Sequence, residues 1–234
     1  MITTVLQPAF LPWLGYLSMI RMSDTFVLYD DVQFFRWFVN RNKLKVDGKE
    51  KWLTVPVCSH RDLISQTNIS YSTDWMNQHL ETIRHAYSRA TNFKEGFDLV
   101  RTIYKKFDTI SELAVHSVRT TCDYLGLKTK LTLSSELAVS DSGKTQRLID
   151  ICHATNARIY LTGYGSSNYI EPDLFEKAGM RMLFFKYEEK PRRQLGEGFV
   201  PYLSSIDAIM NNSKEEVLSL ISMRPVLKIQ AELT

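Results

Sequence analysis

Apolar and polar positions along this 234-residue chain switch between strand-like runs and helical spacing. Thr3–Leu6 is a short β-branched run that predicts a buried strand. Gln7-Pro8 breaks it, and Pro12, tolerated in the first turn of a helix, opens a helix that runs to about Met22. Thr25–Tyr29 is continuous rather than alternating, as in a parallel strand buried on both faces. Strand–helix–strand is the βαβ unit of an α/β fold. Lys43–Val46 and Trp52–Val57 then flank Asp47-Gly48, a hairpin turn signal, and residues 64–71 read as irregular.

Helical spacing takes over from there. Met76, Leu80, Ile83 and Tyr87 recur on one face after Asp74, a cap residue. Asn92 with Glu95 reads as a capping box for a helix carrying Phe97, Val100, Tyr104 and Phe107. A third helix runs from about Ser111 to Leu125 and stops at Gly126. The chain then alternates again: strand Leu131–Ser134, helix Lys144–Thr155, strand Arg158–Thr162, helix Pro172–Ala178, strand Met180–Tyr187. The tail after Pro201 reads as helical. The pattern predicts an α/β fold, a mostly parallel open Rossmann-like sheet in one domain over residues 1–234. A helical insert falls at about 74–126.

Composition changes this picture little. Apolar residues make up 44% and charged residues 24%, the balance of a globular protein. The net charge of +3 is too small to argue for nucleic acid, and no run approaches the ~18 apolar residues of a membrane helix. The opening ten residues lack the basic head and apolar run of a signal peptide. Cys58, Cys122 and Cys152 are scattered and form no disulfide framework, which fits a reducing cytoplasm. No His/Cys/Asp spacing supports a metal.

In open α/β sheets ligands bind beyond the carboxyl ends of the strands, which selects Gln7–Trp13, Asp30–Gln33 and Gly163–Tyr169. The first of these precedes a helix N-terminus, where free N–H groups hold anions. Neither GxxxxGK[ST] nor GxGxxG occurs there. Trp13-Leu14-Gly15-Tyr16 falls where class I nucleotidyltransferases carry HxGH, and both histidines are missing, so that arrangement is a hint about fold alone. Asp30 and Asp31 are expected on opposite faces of a strand end, one as a base or ligand-binding group, or both as turn chemistry. Arg41, Asn42 and Lys43 offer a planar fork, an amide and a point charge, or simply a charged surface hairpin. His79 lies between Met76 and Ile83 on an apolar helical face and should point inward, as a base or as a satisfied core residue.

Gln7 to Tyr16, Tyr29 to Gln33, Asn40 to Lys43 and Trp52 to Val57 together resemble the WbqC-like protein family. The likeness continues through His79, Tyr87, Leu161-Thr162-Gly163 to Tyr169, and Phe199 to Ser204 with Asp207 and Asn211. Pro191-Arg192-Arg193-Gln194 departs from the tyrosine-containing version of that loop. The resemblance implies a place in bacterial O-antigen or other surface-polysaccharide biosynthesis, beside enzymes that make amino sugars. It does not supply the reaction.

The leading expectation is an N-acyltransferase, an enzyme that forms an amide on the amine of a nucleotide-linked amino sugar. Its donor is a thioester such as an acyl-CoA, or an amino acid activated with ATP, with no tightly bound cofactor. His79 or Asp30 would take the amine's proton. Gln7, Trp13, Tyr16, Tyr29, Asp31, Gln33, Arg41, Asn42, Lys43, Gly163 and Tyr169 would hold the substrate. The alternatives are an ATP-dependent amide ligase of nucleotidyltransferase-like fold, and a non-catalytic partner that binds and delivers a sugar nucleotide. A homodimer is open.

Overall fold

The computed structural model describes residues 1–140, 142–168, 170–222 and 226–229. The chain opens with β1 (Ile2–Leu6), α1 (Leu14–Met22) and β2 (Thr25–Leu28). A separate antiparallel hairpin follows, β3 (Arg41–Val46) and β4 (Lys49–Thr54). Asp47 and Gly48 both have positive φ, +49° and +76°, the twist that a two-residue turn needs between right-twisted strands. The insert is α2 (Trp75–Tyr87), α3 (Phe93–Ile103) and α4 (Ile110–Leu125). The second α/β stretch is β5 (Lys130–Leu133), α5 (Lys144–Ala154), β6 (Ile159–Gly163), α6 (Pro172–Lys177) and β7 (Arg181–Lys186). Helices α7 (Ser205–Asn211) and α8 (Lys214–Ser222) precede β8 (Val226–Ile229).

The main sheet has the order β5-β2-β1-β6-β7-β8. Its first five strands are all parallel, and β8 adds antiparallel to β7. Counting the parallel strands in chain order gives 3-2-1-4-5, the doubly wound arrangement, whose connections reverse between β1 and β6.

Alternate residues of each central strand serve opposite faces. Val5 and Val27 pack with Leu148, Ile149 and Cys152 of α5 and Phe175 of α6. Phe26 and Leu28 pack on the other face with Leu17 of α1, Val118 of α4, Ile209 of α7 and Val217 of α8. Every residue of β2 is buried, which is why its sequence is continuous rather than alternating. Burying each such side chain contributes about 1.5–3 kcal/mol.

Several local readings change. Asn92 does not cap α3 with its side chain; its amide donates to the Ile209 carbonyl at 3.0 Å and ties the insert to α7. The capping box sits instead on α4, where Thr109 and Glu112 satisfy each other's backbone N–H groups. Asp74 begins α2 without a side-chain cap. The second hairpin strand starts at Lys49 rather than Trp52, because the two-residue turn fixes register from Val46 onward. Residues 64–71 include a 3₁₀ turn at Ile64–Gln66. The antiparallel strand β8 had no counterpart among the sequence-predicted elements.

Candidate functional site

The chain between β1 and α1 makes a tight turn, and buried partners hold it. Leu11 is fully buried at φ +48°, a conformation that costs a branched residue free energy unless its surroundings impose it. Ser117 Oγ accepts from Leu11 N at 2.9 Å, and the Asn42 amide donates to the Leu11 carbonyl at 2.6 Å. The Tyr16 hydroxyl donates to the Gln7 carbonyl at 3.0 Å. Ser205 N donates to the Pro12 carbonyl, so α7 anchors the turn from behind. Trp13 then folds over Gly15. A Cβ on that glycine would lie 2.1 Å from the indole, so no side chain fits beneath the ring. Tyr187 and Tyr202 meet Trp13 edge-on, with ring centroids 5.5 and 5.9 Å away.

This turn forms one wall of a crevice at the point where the sheet reverses. A cavity of about 440 Å³ is lined by Gln7, Trp13 and Tyr16 from the β1–α1 turn. Trp37 and Phe38 line it from the loop before β3, Gly163 and Tyr164 from the end of β6, and Lys186 and Tyr187 from the end of β7. A second hollow of about 470 Å³ shares Gln7 and Gly163 and continues past Tyr29, Thr162 and Ser166. A Cβ at Gly163 or Gly165 would meet nothing within 4 Å, so both glycines keep the wall of the crevice low. A larger hollow, about 570 Å³, opens at Met1, His153 and Arg158, at the amino ends of the strands and away from the switch point.

Of the residues singled out from sequence, the structure brings Gln7, Trp13, Tyr16 and Gly163 to one cavity, and Tyr29 to its continuation. Tyr169 lies outside the described residues. The rest are elsewhere. Asp30 and Asp31 do not diverge as strand neighbours would, because β2 ends at Leu28. Both carboxylates instead reach Ser134 Oγ, at 3.1 and 2.5 Å. Asp30 is buried and also accepts from Ser135 N and Oγ at 3.1 and 2.8 Å, so it joins β2 to the end of β5. Asp31 pairs with Arg147 of α5. Arg41 lies over Trp52, 4.2 Å from its ring centroid, and Lys43 pairs with Glu50 across the hairpin. Gln33 is exposed and bridges to Leu63.

His79 is buried, as its position on the apolar face implied. Its Nδ1 lies 3.2 Å from the Tyr104 hydroxyl, and the ring also bonds the backbone of Thr54. Burial and the nearby Lys51 charge push its pKa down to about 4, against the smaller opposing effect of the Thr54 bond. It lines a separate cavity, divided from the crevice by residues 36–40.

A buried ionic cluster went unread in the sequence. Arg192 bonds Asp207, and its guanidinium also contacts Glu189 at 3.1 Å; both side chains are almost wholly buried. Asp207 further accepts from Tyr87 Oη and Gln194 Nε2, each at 2.9 Å. Burial raises the pKa of Glu189, and Arg192 opposes that. The Lys45 ammonium donates to the carbonyls of Glu197 and Gly198 at 2.9 and 2.6 Å. These contacts clamp residues 188–204 onto α7 and the hairpin, and so place Tyr202 against Trp13. In the sequence Tyr87 and Asp207 stood out as positions of the family likeness and Arg192 and Gln194 as part of a loop that departs from it, with no local pattern to pair them.

Among the described residues no group of three or more His, Cys, Asp or Glu side chains is placed to hold a metal ion. None of their helices is long and apolar enough to cross a membrane. The fold and crevice define a doubly wound α/β protein with an aromatic-walled cavity at its switch point. The chain belongs to the WbqC-like protein family, which matches it over residues 7–219. It is 32% identical over 218 residues to the uncharacterized protein Rv1507c of Mycobacterium tuberculosis, covering 90% of this chain and 94% of that one. No solved structure matches the chain.

Proposed function

We propose that the crevice binds a nucleotide-linked amino sugar of surface-polysaccharide biosynthesis and that the protein serves the N-acylation of that sugar. The observation that carries this reading is the meeting of Gln7, Gly163, Lys186 and seven aromatic side chains at the β1/β6 switch point. Trp13, Trp37, Phe38 and Tyr164 offer faces and edges for a base or sugar ring. Lys186, whose ammonium pairs with Glu188 at 3.0 Å, offers a point charge that a pyrophosphate would have to draw from that carboxylate, and the Gln7 amide both donates and accepts toward sugar hydroxyls. A cytoplasmic location goes with this reading.

Amide formation needs a neutral amine and a base for its proton. In the acyl-transfer reading the donor is an acyl-CoA or an amino acid activated with ATP; Asp30 and His79, the bases expected from sequence, do not line the crevice, so the amine's proton leaves to solvent or to the departing donor group. The test offers purified protein a panel of nucleotide-linked amino sugars with each donor and follows amide formation by mass spectrometry. Turnover by the wild type that Gly163→Val abolishes is the expected result. No amide with any donor, in any form of the protein, refutes the acyltransferase.

The crevice itself favours a second reading. Its titratable lining is Lys186 and tyrosines, and burial raises Tyr16 and Tyr187 further above their ordinary range. A protein that only binds and delivers a sugar nucleotide needs no base there. Binding that Gly163→Val abolishes, with no turnover in the wild type, supports delivery. The ATP-dependent ligase has the doubly wound strand order in its favour and the missing HxGH histidines against it; pyrophosphate release that depends on a carboxylic acid identifies it.

A further inference from the structure

The cavity beside His79 has properties that the crevice lacks. It measures about 360 Å³ and lies between the hairpin and the first turn of α2. Two of its lining residues carry buried polar atoms without a hydrogen-bond partner among the described residues, Trp75 Nε1 and Asn40 Oδ1. The Asn40 orientation is fixed, because its Nδ2 donates to the Val55 carbonyl at 2.9 Å, which leaves Oδ1 as the free acceptor. One orphan therefore needs an acceptor and the other needs a donor. Each side chain is more than nine-tenths buried, and leaving such an atom unsatisfied costs about 1–3 kcal/mol.

The surroundings give the charge. Arg36 and the exposed His60 line the same cavity, and Lys51 acts electrostatically on His79 within it. The first turn of α2 enters the lining through Trp75 and Gln78, and that helix has no side-chain cap. The Asp74 carboxylate, which could have capped it, instead takes the Asn77 amide at 3.0 and 2.9 Å. Uncapped N–H groups, an indole N–H and an arginine all favour an anion.

We propose that this cavity is a second binding site, for a small carboxylate with a hydrogen-bond donor on the adjacent carbon: an α-hydroxy or α-amino acid. The carboxylate takes the Trp75 indole N–H and faces Arg36, and the neighbouring hydroxyl or ammonium donates to Asn40 Oδ1. The volume of about 360 Å³ admits a molecule of that size. The proposal stands whether or not the crevice holds a sugar nucleotide, since residues 36–40 separate the two cavities.

The indole N–H groups of the four tryptophans give the test, because each yields its own signal in a ¹H–¹⁵N spectrum of the full chain. Trp75→Phe assigns the relevant peak by its loss. L-Lactate and L-alanine are titrated through the millimolar range, with acetate and L-alaninamide alongside. The expected result is a saturable shift of the Trp75 indole with lactate or alanine. Acetate should bind about tenfold more weakly, and alaninamide should leave the signal in place. Arg36 is exposed, so Arg36→Ala should fold normally and raise the dissociation constant about tenfold. A Trp75 signal that no carboxylate moves overturns the proposal. Equal response to acetate and lactate overturns the role of Asn40. Shifts confined to the Trp13 and Trp37 indoles put the ligand in the crevice instead, and overturn this site while supporting the other.

Discussion

Removing the Asp207 carboxylate should be among the most damaging single changes in this chain. Its side chain is fully buried and receives bonds from Arg192, Gln194 and Tyr87. Asp207→Ala leaves the Arg192 guanidinium, itself 3% exposed, with Glu189 as its remaining charged partner. Breaking a buried, hydrogen-bonded pair from one side costs about 3–5 kcal/mol, chiefly because the surviving charge stays desolvated. Tyr87 Oη and Gln194 Nε2 each lose an acceptor as well, so the upper half of that range, about 4–5 kcal/mol, is expected. At a urea slope of about 3 kcal/mol per molar, the unfolding midpoint should fall by about 1.5 M. Asp207→Asn keeps an oxygen for Arg192 and Gln194 and should cost about half as much. Urea unfolding at pH 7 followed by circular dichroism measures both. The loop that carries Tyr202 is tied to the same cluster, since Tyr202 N donates to Glu189 at 2.6 Å. Trp13 fluorescence should therefore become more solvent-exposed in the folded variant. A midpoint shift under about 0.3 M for Asp207→Ala would refute the claim that this cluster clamps residues 188–204.

Four further outcomes follow from the same geometry. His79 has a folded-state pKa of about 4 against an ordinary 6.5, so the unfolded chain binds the extra proton between those values. Stability from this residue is whole above pH 6.5 and is lost as pH falls toward 4, about 3 kcal/mol in all; His79→Gln should flatten that limb of the pH–stability curve. Gly15→Ala should cost about 1–3 kcal/mol and alter the Trp13 emission, because the new methyl group must displace the indole; a variant with unchanged emission contradicts the observed packing. Lys45→Met should lose about 2 kcal/mol by thermal denaturation, since the carbonyls of Gly196 to Gly198 lose their charged donor. A thiol reagent should label Cys58 alone in the native protein and all three cysteines after unfolding, because Cys122 and Cys152 are buried and burial pushes both thiols up to about 12.

Much of the scaffold could be read from local pattern. The β-branched run at Thr3–Leu6, the uninterrupted run Thr25–Leu28 and the Asp47-Gly48 turn each state a backbone preference that the fold keeps. The family likewise follows from contiguous residues, Gln7 to Tyr16 above all. Those signals are legible because neighbours in the chain determine them: period, turn chemistry and helix ends.

The site is a different matter. Asp30, Arg41, Asn42 and His79 all carry groups that suit chemistry, yet they face Ser134 and Ser135, Trp52, the Leu11 carbonyl and Tyr104. A polar side chain has the same chemistry whether it meets a ligand or a backbone carbonyl, and only long-range packing decides which. The strand order does the same for the crevice. Gln7 and Gly163 are far apart in sequence and adjacent in space because β6 pairs with β1 after α2 to α5 have intervened. The sequence alone therefore determined most of the elements, β8 excepted, together with the class of fold and the family. The tertiary structure decided that the crevice lies between β1 and β6, that Arg192 and Asp207 form a clamp, and that His79 belongs to a second cavity. Each of those depends on partners more than ten residues away, where no local pattern reaches.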